Sequence, residues 1–382
     1  MKNNMILFDL VATQPSVDSK RHGGGKYGEV IFKRIVERQL PVSCIYDSRR
    51  WINPEIQNIL KKNGIEVFDI STLPLQGIID QHQFHTIFTA LPNRIFYSLK
   101  NITIIGTIHG LRRLETPADS YCFLYKTLNW KDWLFYFTNT FLSKIFKRKL
   151  CNYYLKEWSN PNFNIVTVSN HTRSSIKVYF PQYKDKAIPV FYSPSTSLSY
   201  IKKTKYDEKF FMLVSANRLE KNNLRAIKAL DFLFSNGYLD GYKVKITGAK
   251  DATIYRYQIK NIERFEFLGY VNDADLEQLY HDAYALIYPS LNEGFGYPPL
   301  EAMHYGVPVL SSPYTSIPEV CGDANLYFNP FSVEEIAGRI LQISDSQIYE
   351  IQKKKAKAQY EKITLRQNED LDRLIDYIFN YV

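Results

Sequence analysis

Short apolar runs alternate with amphipathic helical stretches along the chain, and the pattern occurs twice. The first series places strands at residues 5–10, 42–46, 65–69, 86–88, 102–107 and 165–169, with helices at 27–37, 55–62 and 172–179. A Pro/Ser stretch at 194–197 interrupts it. The second series has strands at 210–216, 243–247, 265–268, 283–288 and 307–311 and a helix at 223–236. Strands separated by helices cannot pair as hairpins; they predict parallel sheets with helices on both faces. Two series predict two Rossmann-like α/β domains, residues 1–195 and 196–364, which a chain of 382 residues accommodates. Near the end, Leu371, Leu374, Ile375 and Ile378 share one helical face. Thr364 and Gln367 read as a capping box that starts this helix, and residues 365–382 are expected to cross back to the first domain.

Residues 111–160 break the alternation. Trp130, Trp133, Phe135, Tyr136, Phe137, Phe141 and Phe146 run into Lys144, Lys147, Arg148 and Lys149. The segment reads as helical and inserted, within the first domain. Its aromatics beside basic residues fit an anionic membrane surface, or else a domain core with a solvated rim. The net charge of +9 suits an anionic ligand or surface. No nucleic-acid motif accompanies it, so no nucleic-acid partner is expected. Cys44, Cys122, Cys151 and Cys321 lack metal-ligand spacing and read as reduced thiols. No apolar run is long enough to span a bilayer, and the N-terminus runs into a strand without a leader pattern. The expectation is a cytoplasmic enzyme, peripheral on the inner face of the membrane if the aromatic segment docks there.

The richest chemistry lies at 288–303, Tyr-Pro-Ser-Leu-Asn-Glu-Gly-Phe-Gly-Tyr-Pro-Pro-Leu-Glu-Ala-Met. It starts as a buried strand and ends as a helix. Pro298 and Pro299 fit the first helical positions, where no backbone donor is lost. Gly294 and Gly296 let the backbone approach a ligand, and the amides at the helix start favour an anion such as a diphosphate. Glu293 on the loop and Glu301 in the helix suit the hydroxyls of a sugar and a ribose.

This segment resembles the donor-binding motif of glycosyltransferase family 4, a retaining family with the GT-B fold. The resemblance continues through Gly306-Val307-Pro308-Val309, Ile317-Pro318-Glu319-Val320 and, upstream, Phe267-Leu268-Gly269-Tyr270-Val271. It is dense over residues 210–330. It implies two Rossmann-like domains facing across a cleft, with a nucleoside-diphosphate sugar as donor. It implies that Glu293 contacts the donor sugar and that the amides of Phe295, Gly296 and Tyr297 face sugar and diphosphate. Glu301 is then the ribose ligand, and Tyr270 lies beside the base.

Three further patterns bear on this function. Arg218 and Lys221 follow a strand and precede a helix, where cations can neutralise a leaving diphosphate. The family usually has an Arg and a Lys there, at wider spacing. Either the loop is shortened or Arg218 is not the family arginine; Lys221, followed by Asn222, is the closer match. His22-Gly23-Gly24-Gly25-Lys26-Tyr27 is similar to the family's N-terminal glycine-rich loop, with Gly24 and Gly25 at the donor. His109 ends a strand, as in the family, although Gly110 stands where the family has an acid. Asp273-Ala274-Asp275 looks like a metal-binding pair but sits before a helix, where capping is the better reading. No metal or other cofactor is expected, because basic side chains and helix amides supply positive charge.

The resulting expectation is transfer of a hexose, with retention, to a glycan or lipid-linked glycan in cell-surface polysaccharide assembly. A sugar-nucleotide epimerase or hydrolase of the same fold would turn over donor without an acceptor. A non-catalytic sugar-nucleotide-binding subunit would bind donor and never turn it over.

Overall fold

The computed structural model describes residues 5–15, 23–126, 130–195 and 208–380. His22, Thr196 and Ser197, singled out above, lie outside them. The chain divides into two compact units. The first comprises Met1–Leu111, Lys149–Thr196 and Thr364–Val382, and the second comprises Arg112–Arg148 and Ser197–Ile363.

The first unit holds β1 (Ile6–Asp9), β2 (Val42–Tyr46), β3 (Val67–Asp69), β4 (Thr86–Thr89), β5 (Thr103–Ile108) and β6 (Phe163–Thr167). They form one parallel sheet in the order β3-β2-β1-β4-β5-β6. Every residue of β1 and β4 is buried, as a parallel sheet covered on both faces requires. Phe8 packs against Phe32 of helix Gly23–Glu37 and Phe88 of β4, each ring centroid 5.5 Å away. The strand order reverses between β1 and β4, the place where open α/β sheets bind ligands at their strand ends.

The second unit holds β7 (Lys209–Leu213), β8 (Tyr242–Thr247), β9 (Phe265–Gly269), β10 (Ala285–Tyr288), β11 (Val309–Ser311) and β12 (Asn325–Tyr327). Again all pairs are parallel, in the order β12-β11-β10-β7-β8-β9. The chain runs outward from β7 to β9, returns to β10 and runs outward the other way. Its reversal point lies between β7 and β10. This is the α/β two-domain architecture of the GT-B fold.

Three expectations need correction. The glycines at 23–25 form the first turn of helix Gly23–Glu37, not a loop. A Cβ on Gly24 would lie 2.8 Å from the Leu91 side chain, so glycine there lets the helix start lie against the loop after β4. The capping box at Thr364 does not form, because Ser346–Asn380 is one 35-residue helix without Gly or Pro to stop it. Its second half sits in the first unit, where Leu374, Ile375 and Ile378 are buried and Arg34 grips Asp372 through two 2.9 Å hydrogen bonds.

The third correction concerns Arg112–Arg148, expected in the first domain but part of the second unit. Tyr125 is buried in the second unit's core and pairs with Tyr255 in an isolated bridge. Lys126 N donates to Ile254 O at 2.8 Å, and Arg256 N donates to Leu124 O at 2.7 Å. Asp119 receives both terminal nitrogens of Arg225, at 2.5 and 2.8 Å, and this pair is nearly inaccessible to water. Removing one member of a buried pair strands the other, at a cost of about 3–5 kcal/mol. Asp119→Ala is therefore expected to lower the thermal unfolding midpoint of the second unit by many degrees, measured by calorimetry. Asp251→Ala, whose carboxylate caps an exposed turn, should leave it nearly unchanged.

Candidate active site

At the second unit's reversal point, the loops after β7 and β10 lie side by side. Leu291 N donates to Glu220 O at 2.8 Å, and Asn222 Nδ2 donates to Pro289 O at 3.2 Å. Lys221 and Glu293 meet beneath them, with Lys221 Nζ 2.6 Å from Glu293 Oε1. Lys221 is 5% exposed and the Glu293 side chain 11%. Tyr288, the last residue of β10, donates its hydroxyl to Glu293 at 2.7 Å and accepts from Lys221. Ser290 Oγ also donates to Glu293.

Electrostatics follow from this packing. Burial pulls the Lys221 ammonium below its usual range, and the Glu293 carboxylate opposes that pull. Burial pushes Glu293 up, but the Lys221 charge and the hydrogen bonds from Lys221, Ser290 and Tyr288 outweigh it and hold the carboxyl below its ordinary value. The two groups thus offset part of each other's burial cost in a place that water scarcely reaches.

The backbone beyond Glu293 is held from the other side. Thr315 Oγ1 accepts from Glu293 N at 2.9 Å, and Ser316 Oγ donates to Glu293 O at 3.0 Å and Phe295 O at 2.8 Å. Gly296 takes φ of 114°, where a side chain would be strained, and precedes helix Tyr297–His304 with proline in its first turn. At this helix start Phe295 and Gly296 are buried and Tyr297 is half-buried. Glu301, in the same helix, is half-buried and hydrogen-bonded to the Tyr280 hydroxyl. Tyr270 follows β9 and is 87% exposed.

Arg218 is occupied differently from Lys221. It donates to Glu220 Oε1 at 2.5 and 3.0 Å, and Arg112 reaches the same oxygen at 3.0 Å. Asn292 donates to Glu115 at 3.2 Å. Arg112 and Glu115 come from the inserted segment, so nothing near 288–303 signals them. Tyr288 was legible as strand but not as a polar partner. The Asp273–Asp275 pair lies in the first turn of helix Asp273–Asp282, whose cap is Asn272, accepting from Asp275 N at 2.9 Å.

In the first unit, His109 follows β5 at the strand ends. Its Nε2 is 2.9 Å from Ala90 O, and its ring meets the edge of Tyr27. Tyr27 shares a 3.2 Å hydrogen bond with Thr107. Gly24 and Gly25 lie in the same helix start as Tyr27. Asp9, at the end of β1, accepts from Thr89 at 2.7 Å, and burial lifts its carboxyl to about 6.

Residues 198–362 match the family described as "Glycosyl transferases group 1". The chain is 34% identical over 196 residues to the O-antigen chain mannosyltransferase B of Escherichia coli, covering 47% of this chain and 50% of that protein. It is 32% identical over 201 residues to the O-antigen chain mannosyltransferase RfbU of Salmonella typhimurium, covering 51% and 54%. It spans about half the length of these curated relatives. A glycosyltransferase from Rickettsia africae has the same fold, with a TM-score of 0.67 at 16% identity over the full length of both chains. Anabaena HepE in complex with UDP-glucose aligns at a TM-score of 0.63 and 15% identity, over 97% of this chain and 99% of that one.

The ion pair makes a pH-dependent prediction. In Lys221→Met, Glu293 keeps its burial and loses its counter-charge, so its folded pKa rises above the unfolded value. The variant should be about 3–5 kcal/mol less stable at neutral pH. The wild-type pair's contribution is present above the ordinary glutamate value and is lost as pH falls through the depressed one. The mutant carboxyl instead gains by protonation as pH falls, so the deficit should shrink on acidification. Adding Glu293→Gln should recover part of it at neutral pH. Denaturant titrations of the three forms across pH check both outcomes.

Proposed function

We infer that a chain whose second unit carries a glycosyl transferases group 1 domain on the GT-B scaffold transfers a hexose from a nucleoside-diphosphate sugar. The acceptor is a glycan or lipid-linked glycan in cell-surface polysaccharide assembly. The observation that carries this reading is the buried Lys221–Glu293 pair at the sheet's reversal point, beside the Gly296 helix start. Mannose is the proposed sugar, because the two curated relatives are named mannosyltransferases.

In this reading the bond between the sugar's anomeric carbon and the donor phosphate breaks, and its electron pair leaves with the diphosphate. Lys221 opposes that growing charge, helped by the amides of Phe295, Gly296 and Tyr297. Glu293 opposes the pull of burial on Lys221 and faces the sugar hydroxyls. The acceptor oxygen bonds to the anomeric carbon on the face the diphosphate leaves, and its proton passes to a donor phosphate oxygen. That course retains configuration and needs no enzyme nucleophile. Glu301 holds the ribose hydroxyls, and the exposed Tyr270 ring covers the base. Arg218 is a second cation, shared with Glu220 until donor arrives. His109, Gly24 and Gly25 belong to the other, acceptor-side unit. The enzyme works at the cytoplasmic face of the membrane, where lipid-linked acceptors are presented.

Isothermal titration against UDP-, GDP-, ADP- and dTDP-linked sugars identifies the donor. Glu301→Gln should then weaken donor binding about tenfold, since an amide mismatches one ribose hydroxyl. Lys221→Met should cut turnover far more than it weakens donor affinity, because the charge it meets is largest in the transition state. Equal losses in both would make the lysine a plain binder.

Activity should persist in excess chelator, because side-chain cations and helix amides already face the diphosphate. Loss of turnover on chelation, restored by Mg²⁺ or Mn²⁺, would return Asp273 and Asp275 to the site.

A further inference from the structure

Helix Trp130–Phe141 reverses the usual rule for amphipathic helices. Trp130, Trp133, Leu134, Phe137 and Phe141 recur at i, i+3, i+4, i+7 and i+11, which makes one stripe. Such a stripe normally faces a core. Here it faces outward, with Trp130 69%, Leu134 53%, Phe137 48% and Phe141 73% exposed. The apolar surface continues past the helix end through Leu142 and Ile145, each more than half exposed. Contiguous exposed apolar surface of this kind marks an interaction site.

Charge identifies the occupant. Lys144, Arg148 and Lys149 are exposed on the following helix, with Lys147 half-buried between them, and Lys131 is exposed on the first. No acidic residue falls between Lys144 and Tyr154. Large aromatics bordered by a one-sign basic row match an anionic bilayer, with rings at the acyl boundary and ammonium groups among lipid phosphates. A protein partner burying Trp and Phe would not need a row of four cations beside them.

The mounting of this surface adds a second point. Trp133 and Tyr136 pack on Phe123, with centroids 4.0 and 4.7 Å apart. Phe123 follows Asp119 in a short 3-10 turn, and Asp119 is clamped by Arg225. The aromatic helix is therefore carried by the same unit as Lys221, Glu293 and Glu301.

We propose that the outward face of Trp130–Phe141, with the basic residues that follow, docks this chain on an anionic phospholipid surface and so fixes the sugar-donor unit at the bilayer. This deepens the functional reading above, since it supplies the route to a lipid-linked acceptor.

The test is flotation of the full chain with phosphatidylcholine vesicles, with and without phosphatidylglycerol, read beside nucleotide-sugar binding. Wild type should float with the anionic vesicles at low salt and release as salt rises. Each basic residue near such a surface is worth about fivefold in partition, so replacing Lys144, Lys147, Arg148 and Lys149 with Gln should lower it by nearly three orders of magnitude. Phe137→Ser with Phe141→Ser should also abolish flotation, with donor binding and thermal midpoint unchanged. Wild type remaining in the soluble fraction would overturn docking, as would equal flotation with neutral vesicles. A dimer that becomes monomeric in the Phe137→Ser, Phe141→Ser variant would overturn it too, by showing that a second copy covers the face. Flotation without any nucleotide-sugar binding would leave docking standing and sink the functional reading alone.

Discussion

Lys221 and Glu293 sit in loops that leave neighbouring strands, and neither charge could remain at that depth without the other. Their burial fixes the spacing of both loops. The hydroxyls of Tyr288 and Ser290 donate to Oε1, the same carboxylate oxygen that Lys221 reaches. The Leu291–Glu220 backbone bond then closes the two loops into one surface. From that surface the chain turns through Gly296 into helix Tyr297–His304. The polar cluster is costly as pure stability, since apolar residues could fill the same volume. What the arrangement achieves is a lysine and a carboxylate held together at a depth water scarcely reaches.

A second buried pair does comparable work on the inserted segment. Arg225 is held by Asp119 and Asn222 and lies over the Tyr121 ring at 3.5 Å. Asn222 also donates to Pro330 O at 2.7 Å. One arginine therefore joins the inserted segment to the loop that carries Lys221. The segment in turn delivers Arg112 and Glu115 to the loops after β7 and β10.

What could be read in advance follows the range of the forces involved. Buried parallel strands and the 288–303 turn are local, so their residues alone betray them. Pro298 and Pro299 at a helix start, after Gly296, allow few other structures. Long-range pairings leave no such mark. Nothing around Asp119 announces Arg225, and Glu115 is separated from Asn292 by most of a domain. Asn325–Tyr327 is too short to show a period and exists because β11 offers an edge. The glycines at 23–25 misled because glycine marks close approach as often as it marks a turn; here the neighbour is Leu91. The missed helix continuation through Thr364 has the same origin, since Thr and Gln three apart satisfy a local rule inside a helix that never stops.

That uninterrupted helix bears on how the chain can be divided. Its first half belongs to the second unit, where Tyr349 stacks on Tyr284 and Gln359 donates to Val320 O at 2.7 Å. Its end belongs to the first, where Asp370 accepts from Tyr192 N at 3.0 Å and Gln367 donates to Ser193 O. A fragment cut at the Pro/Ser stretch would hold all six strands of the first sheet yet lack the helical turns that cover Phe191, Tyr192 and Arg34. Residues 364–382, added as a separate peptide, would then act as its missing piece, and the two halves of a gene split at that stretch would be bound to reassemble through a helix rather than through a sheet.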